Sequence, residues 1–260
     1  MEALDLRGLV PAPVTPFTRD GEVDHAAIQR LGSWLGSFPG VKGLVVLGHA
    51  GEGTFLSPDE QAAVIESFVK SVDGKIPVIA GITLEGTKVA ALEAKRAIKA
   101  GAQAGLVYPS HGWLRFGYQK GAPQDRYRAI YQESGLPLIL FQYPDATKAT
   151  YNLETQLDIS ALPGVFAMKN GVRNMRREIP VVVVNVPICK FSPVMMSICC
   201  TRCSTWTAPW WVTAVSHPSR SSSSSLRRGA EPFCMSRWFA RSIPGRLRDP
   251  TGASFSRAST

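Results

Sequence analysis

A chain of 260 residues is long enough for one α/β barrel or one large domain with a sizeable core. Its formal net charge of +9 suggests an acidic partner such as nucleic acid, but residues 178–260 hold ten basic and only three acidic residues. The excess therefore lies in one late segment. No apolar run reaches the ~18 residues that a membrane helix needs, and no basic stretch with a following apolar one opens the chain, so we expect a soluble cytoplasmic protein.

Up to about residue 176, short apolar runs alternate with amphipathic stretches of helical length. Such runs are typical of parallel strands covered by helices, and their spacing of about 30 residues suits one βαβ unit. The predicted strands are Leu9–Val14, Gly43–Leu47, Pro77–Gly81, Gly105–Tyr108, Leu136–Phe141 and Val165–Lys169. The predicted helices are Asp24–Phe38, Ser57–Val72, Thr87–Ala100, Asp125–Ser134 and about 152–161.

Local signals at the helix ends support these boundaries. Ser57 is followed by proline at the first helical position and by a carboxylate at Glu60, the pattern of a capping box. Gly101 and Gly135 follow predicted helices, where glycine commonly ends a helix.

These elements predict an α/β fold, the first six βα units of a (β/α)8 TIM barrel that needs eight. Val181–Val186 is one more strand candidate, but a stretch rich in Ser, Arg, Pro, Cys and Trp follows it without sustained periodicity. All five cysteines and four of the six tryptophans lie in this stretch. We therefore predict a partial barrel domain over residues 1–180 and an irregular basic tail, foreign to the barrel, over residues 181–260.

The tail has the signature of a shifted reading frame. Reading possible codons of 202–213 one nucleotide earlier gives a string compatible with Thr-Met-Phe-Asp-Val-Asp-Gly-Ala-Leu-Val-Gly-Tyr, because tryptophan has a single codon and fixes several positions. The segment 194–200 shifts in the same way to a helix-like string. Many shifted peptides look acceptable, but here composition, missing strands and the recovered pattern agree. The predicted shift begins inside Val181–Val184.

The incomplete barrel has a consequence for folding. Six βα units leave two strand edges open, and exposed edges are aggregation hazards. The missing units would bury much apolar area, against a net stability of only ~5–15 kcal/mol. On this interpretation the chain is inactive and poorly folded.

Four segments together resemble the dihydrodipicolinate synthase / N-acetylneuraminate lyase family of class I aldolases. They are Pro13–Phe17 with Asp20–Asp24, Gly48–Glu52 with Leu56–Glu60, Pro77–Gly81 and Gly164–Lys169, in the family's order and spacing over about residues 8–175. The resemblance implies a TIM barrel, a small 2-oxo acid such as pyruvate as substrate, no cofactor and a homotetrameric parent protein.

Lys169 ends an apolar strand, so it is expected at the carboxyl-terminal mouth of the barrel, where catalytic groups collect. Desolvation lowers the pKa of an amine and so provides the neutral nucleophile for a carbonyl. A lysine that only snorkels from a strand end is the alternative. The resemblance implies that Lys169 is the Schiff-base lysine.

The resemblance also places the substrate carboxylate at the loop formed by Gly48, His49, Ala50 and Gly51. Small residues let an anion approach the backbone N–H groups. The family usually has two threonines where His49 and Ala50 stand, and the second belongs to its proton relay. His49 is a candidate carboxylate donor or proton shuttle, or else an ordinary packed or solvent-facing histidine.

Other family positions differ here. The tyrosine opposite the lysine corresponds to Phe141, which has no hydroxyl, whereas Tyr143 lies two residues later and faces the same side if the strand continues. Tyr143 is therefore a candidate catalytic phenol or a packing residue. The family's tyrosine pair corresponds to Ser110 and His111, and an arginine of the synthases to Ala146. His111 is a candidate substrate contact or acid–base group, or a loop histidine.

These departures argue against dihydrodipicolinate synthase itself and favour another aldolase, or a dehydratase, acting on a sugar-acid-like or aromatic 2-oxo acid. Binding of a metal by Cys199, Cys200 and Cys203 is not expected, because the spacing lacks a second pair of ligands. Nucleic-acid binding through the basic tail is the remaining alternative, but no recognisable module supports it.

Overall fold

The structure is a computed structural model, and it describes residues 4–144, 146–170, 192–195 and 211–214. The chain divides into two units, residues 1–218 and residues 219–260. Every described residue belongs to the first unit.

Strands and helices alternate from residue 9 to residue 170. In chain order they are β1 (Leu9–Pro11), α1 (His25–Gly36), β2 (Leu44–Val46), α2 (Pro58–Val72), β3 (Val78–Ile82), α3 (Thr87–Lys99), β4 (Ala104–Val107), α4 (His111–Phe116), α5 (Ala122–Ser134), β5 (Leu138–Gln142), α6 (Leu153–Ser160) and β6 (Val165–Asn170). The six predicted strands and five predicted helices are confirmed. The short helix α4 was not predicted.

The helix ends follow from local hydrogen bonds. The Ser57 hydroxyl accepts a bond from the Glu60 N–H, and the Glu60 carboxylate accepts one from the Ser57 N–H at 2.7 Å, which completes the predicted capping box. Gly135 ends α5 with a positive φ of 65°, a conformation that glycine adopts without a Cβ penalty.

The sheet closes on itself. Strands β2 to β6 lie side by side in chain order and are all parallel. Leu9 of β1 forms a parallel bridge with Val41 just before β2, where the Leu9 N–H donates to the Gly40 carbonyl at 2.8 Å. The first six strands therefore have the order and direction of a (β/α)8 barrel.

Two segments of the predicted tail fill the last two positions of the sheet. Strand β7 (Ser192–Met195) is parallel to β6, whereas β8 (Trp211–Ala214) is antiparallel to both β7 and β1. The expectation that the tail supplies no further strands is wrong for these segments. The antiparallel β8 still departs from the barrel pattern, in which all strands are parallel. The candidate strand Val181–Val186 lies outside the described residues.

The hydrophobic core has two layers, as alternation along the strands requires. One face of the sheet packs against the helices, with Val46, Ala80 and Leu140 among its fully buried residues. The other face fills the barrel interior with Val10, Val45, Ile79, Leu106, Ile139 and Ala167. None of the helices in the described part of the chain is long and apolar enough to cross a membrane.

Candidate active site

The candidate site lies at the carboxyl-terminal ends of β2 to β6. Ala167 and Ile139 fill the barrel interior, and side chains two residues further along a strand face the same side. This alternation places Phe141 of β5 and Lys169 of β6 at the top of the interior. The two residues are directly opposite each other in the register of the two strands. The end of a barrel at which the strands finish is where active sites are built.

Lys169 is the central group of the site. Only 4% of its surface is exposed. Its Nζ lies 4.4 Å from the centre of the Phe141 ring and 6.0 Å from the centre of the Tyr108 ring. Burial disfavours the charged ammonium and lowers the pKa of Lys169 from 10.5 to about 7. A substantial fraction of the amine is therefore neutral and nucleophilic near neutral pH.

Phe141 and Tyr108 lie beside the lysine, and Tyr143 packs against Phe141. Phe141 stacks on Tyr108 with ring centres 4.5 Å apart, and Tyr143 meets Phe141 edge-on at 4.8 Å. Burial raises the pKa of both tyrosines far above its ordinary value, so both hydroxyls keep their protons at neutral pH. The buried lysine therefore lies beside a cluster of aromatic rings whose phenol groups are protonated.

The loop after β2 approaches the top of the barrel closely. Leu47 adopts a positive φ of 57°, and a Cβ on Gly81 of β3 would lie only 2.4 Å from the Leu47 carbonyl oxygen. A Cβ on Gly48 would lie 2.6 Å from the Tyr108 hydroxyl. Glycine is therefore required at both positions for the loop to reach this place.

Hydrogen bonds fix the rest of this loop. The Gly51 N–H donates to the Gly48 carbonyl at 3.0 Å, and the Thr15 hydroxyl donates to the Gly51 carbonyl at 2.6 Å. The backbone N–H of His49 donates toward the buried Tyr108 hydroxyl. Thr15 belongs to the segment after β1, so the loop is held from two neighbouring strands.

His49 and Tyr143 form a hydrogen-bonded pair across the site. The His49 Nε2 and the Tyr143 hydroxyl are 2.5 Å apart. Desolvation, with smaller electrostatic contributions from His111 and Lys169, lowers the pKa of His49 to about 4. His49 is therefore neutral at pH 7, with one nitrogen as donor and one as acceptor, and can exchange a proton with the phenol.

His111 lies on the other side of His49. It is the first residue of α4, and its ring centre is 5.3 Å from that of His49. The Glu85 carboxylate, in the loop after β3, accepts hydrogen bonds from the His111 backbone N–H and from its Nδ1, both at 2.8 Å. Burial raises the pKa of Glu85, but the bonds from Ser110, Gly112 and His111 together lower it below its ordinary value.

A buried arginine joins the two loops that carry these groups. Arg126 of α5 is 1% exposed and donates to the carbonyls of Leu84, Glu85 and Tyr108 at 2.6, 3.0 and 3.2 Å. These bonds occupy the guanidinium fork, which is the geometry that arginine supplies and lysine does not. The loops after β3 and β4 are therefore held at a fixed separation.

The structure brings together all the residues that the sequence singled out: Gly48, His49, Ala50, Gly51, His111, Phe141, Tyr143 and Lys169. Sequence reasoning missed Tyr108 and Glu85. Tyr108 had one usable signal, since it occupies the last position before Pro109 at a strand end. Within the described ranges no three His, Cys, Asp or Glu side chains are grouped to hold a metal, and Cys199, Cys200 and Cys203 lie outside those ranges.

Comparisons with known proteins identify a family. The model of the dihydrodipicolinate synthetase family matches residues 5–187. The chain belongs to this family. It is 36% identical over 172 residues to the 4-hydroxy-tetrahydrodipicolinate synthase of Thiobacillus denitrificans, an alignment that covers 66% of this chain and 56% of the relative. The chain thus spans little more than half the length of such curated relatives.

Solved structures of family members share the fold. The dihydrodipicolinate synthase of Acinetobacter baumannii complexed with pyruvate superposes with a TM-score of 0.67 at 25% identity, covering 74% of this chain and 64% of that one. The enzyme of Aquifex aeolicus gives a TM-score of 0.62 at 27% identity over 74% of this chain and 63% of its own. The fold class is confirmed as a TIM barrel. The family match ends at residue 187, close to the predicted boundary at about 181.

Proposed function

We propose that Lys169 forms a Schiff base with pyruvate or a related 2-oxo acid, and that the site is that of a lyase. The observation that carries this proposal is a buried amine with a pKa of about 7 at the mouth of the barrel. The neutral amine attacks the ketone carbon, and the carbinolamine takes up one proton from the solvent as water leaves, so that a protonated imine remains. This iminium accepts the electron pair of a neighbouring carbon–carbon or carbon–hydrogen bond when it breaks.

The loop Gly48–Gly51 is proposed to hold the carboxylate of the substrate. Its small residues and its closeness to Tyr108 support this role, because an anion can come within hydrogen-bond reach of the backbone. Similarity to a family member solved with pyruvate supports the choice of substrate class. The proposed substrate is therefore a small 2-oxo acid, bound without a cofactor.

Tyr143 and His49 are proposed to move the protons of the reaction. Phe141 stands beside the lysine without a hydroxyl, and Ala50 lacks the hydroxyl of a threonine, so neither can carry a proton. The short contact between the Tyr143 hydroxyl and the His49 Nε2 provides a donor and an acceptor instead.

These departures lead us to propose a reaction other than that of 4-hydroxy-tetrahydrodipicolinate synthase, the name borne by its relatives. Phe141, Ala50, His111 and Ala146 all stand where the family's synthases usually carry other residues. An aldolase or dehydratase for a sugar-acid-like or aromatic 2-oxo acid fits this set. We further propose a cytoplasmic homotetramer, for which light scattering of the purified protein is the test.

The second candidate is that the 260-residue chain is catalytically inactive. The antiparallel β8 and the end of the family match at residue 187 favour it, because all strands of a barrel are parallel and β8 departs from that pattern. The proposed cause is the frameshift inside Val181–Val184. A frame-restored chain keeps residues 1–180 and continues in the shifted frame, and sequencing the coding DNA tests whether that frame exists.

Borohydride trapping tests the proposed chemistry. The protein is incubated with pyruvate, reduced, and weighed by mass spectrometry. The frame-restored chain should gain one stable adduct, Lys169→Ala should gain none, and Lys99→Ala, which removes an exposed lysine of α3, should react like the parent. An adduct that persists in Lys169→Ala would refute the assignment of this lysine.

A further inference from the structure

Glu85 has an unusually full set of partners for a carboxylate in a solvent-exposed loop. Its Oε1 accepts bonds from the backbone N–H and the Nδ1 of His111, both at 2.8 Å. Its Oε2 accepts bonds from the Ser110 hydroxyl at 2.5 Å and from the Gly112 N–H at 3.1 Å. Both oxygens are therefore committed to three consecutive residues at the start of α4.

These bonds determine which nitrogen of His111 carries a proton. A carboxylate only accepts hydrogen bonds, so the Nδ1 that contacts Glu85 must be the N–H donor. In a neutral imidazole the other nitrogen, Nε2, is then an unprotonated acceptor. Glu85 thus selects the tautomer in which His111 is able to take up a proton through Nε2.

The dyad formed by Glu85 and His111 belongs to the same cluster as the lysine. The His111 ring is 5.3 Å from that of His49, which is hydrogen-bonded to Tyr143. The negative charge of Glu85 also acts on Tyr143, whose pKa it raises in addition to the larger effect of burial. Arg126 fixes the backbone on both sides by binding the carbonyls of Glu85 and Tyr108.

We propose that Glu85 is a positioning residue that holds His111 as a proton acceptor for the hydroxyl group of the substrate. The inference rests on the proposed Schiff-base function. When a hydroxylated 2-oxo acid is bound as an iminium on Lys169, its hydroxyl proton passes to His111 Nε2. The carbon–carbon bond then breaks, its electron pair moves into the iminium to give an enamine, and an aldehyde leaves. The Glu85 carboxylate balances the positive charge that His111 gains.

Histidine tautomers are measured directly by NMR. The full 260-residue chain and the frame-restored chain are labelled with 15N in their histidines, and the His111 signals are assigned by their loss in His111→Asn. The wild-type protein should show His111 as a fixed Nδ1–H tautomer. Glu85→Ala should abolish this preference, whereas Glu133→Ala, which removes an exposed carboxylate paired with Lys95, should leave it unchanged.

The role of His111 as proton acceptor is tested by a measurement that would not change if Glu85 only stabilised the local structure. Borohydride is added during incubation with 4-hydroxy-2-oxoglutarate, and the adduct on Lys169 is weighed. An uncleaved substrate gives the full-length adduct, whereas a cleaved one gives the pyruvate adduct. Glu85→Gln and His111→Asn should each lower the ratio of cleaved to full-length adduct by about 10- to 100-fold, while the total adduct stays within about twofold.

The outcomes separate the two proposals. A freely exchanging His111 tautomer in both wild-type chains, or a tautomer unaffected by Glu85→Ala, overturns the positioning role. The role of His111 as acceptor is overturned if the ratio of adducts does not change in Glu85→Gln. It is also overturned if the wild type traps only the full-length substrate. Absence of any adduct on Lys169 refutes the proposed function instead, and the tautomer measurement still decides whether Glu85 positions His111.

Discussion

The six βα units of residues 9–170 and the two strands β7 and β8 occupy one sheet, but they are built differently. Strands β1 to β6 keep one direction, and β1 to β5 are each followed by a helix. Strand β8 runs against both of its neighbours. The open edge of a sheet can pair with a strand in either direction, because its N–H and C=O groups are available to both.

This difference shows that filling a position in the sheet is not equivalent to restoring a barrel unit. The described groups of the candidate site, including Lys169, His49, Tyr143 and Glu85, lie on the first six units and their loops. The last two units of a barrel complete the wall around such a site and bury the helices that pack on it. The chemistry of the site therefore depends on the first six strands, whereas the stability of the barrel also depends on the last two units.

The largest expected effect is on folding. The frame-restored chain should unfold cooperatively in urea with a free energy of unfolding of ~5–15 kcal/mol, because it completes the core. The 260-residue chain should show a broad transition of small amplitude by circular dichroism. Equally sharp transitions in the two chains would mean that β7 and β8 close the barrel well enough to stabilise it.

A smaller effect on stability comes from Lys169. Its pKa is about 7 when folded and 10.5 ordinarily, so between these values the unfolded chain binds more protons and stability rises with pH. Replacing Lys169 with Met in the frame-restored chain should therefore stabilise it by on the order of 4 kcal/mol at pH 7. The gain should shrink as the pH approaches 10. Urea titrations at both pH values measure it, with Lys99→Met as an exposed control that should gain nothing.

Disrupting the pair of Tyr143 and His49 should lower the rate of adduct formation more than it lowers the free energy of unfolding. Tyr143→Phe removes the hydroxyl that contacts His49 and should slow adduct formation with pyruvate by about 100-fold. Tyr118→Phe is a matched control, because the Tyr118 hydroxyl donates to the Thr150 carbonyl rather than to a group of the site. Equal rates for the two variants would exclude Tyr143 from proton transfer.

The smallest expected effect is a dependence on pH. The neutral fraction of an amine with a pKa of about 7 increases about tenfold between pH 6 and pH 8. The initial rate of imine trapping by cyanoborohydride should rise by about this factor and then level off. A rate that continues to rise through pH 10 would show that Lys169 keeps the pKa of an exposed lysine.

Strand and helix positions up to residue 170 were predictable because burial on both faces leaves a continuous apolar run that local composition reveals. Lys169 was predictable from its place at the end of such a run together with the family pattern. The helix α4 was not, since six residues without a capping side chain carry no periodic signal. Tyr108 and Glu85 were missed because their roles depend on contacts with residues 26 or more positions away or on another loop, which spacing along the chain does not encode.

Lys169 is the proposed Schiff-base lysine of a site carried by strands β1 to β6 and their loops. The most direct test of this assignment is borohydride reduction of both chains with pyruvate, followed by peptide mass mapping. The account predicts an adduct on the peptide that contains Lys169 in the frame-restored chain and none in the 260-residue chain. An adduct on Lys169 in the 260-residue chain would contradict the proposed loss of function, and no adduct on Lys169 in the frame-restored chain would contradict this assignment.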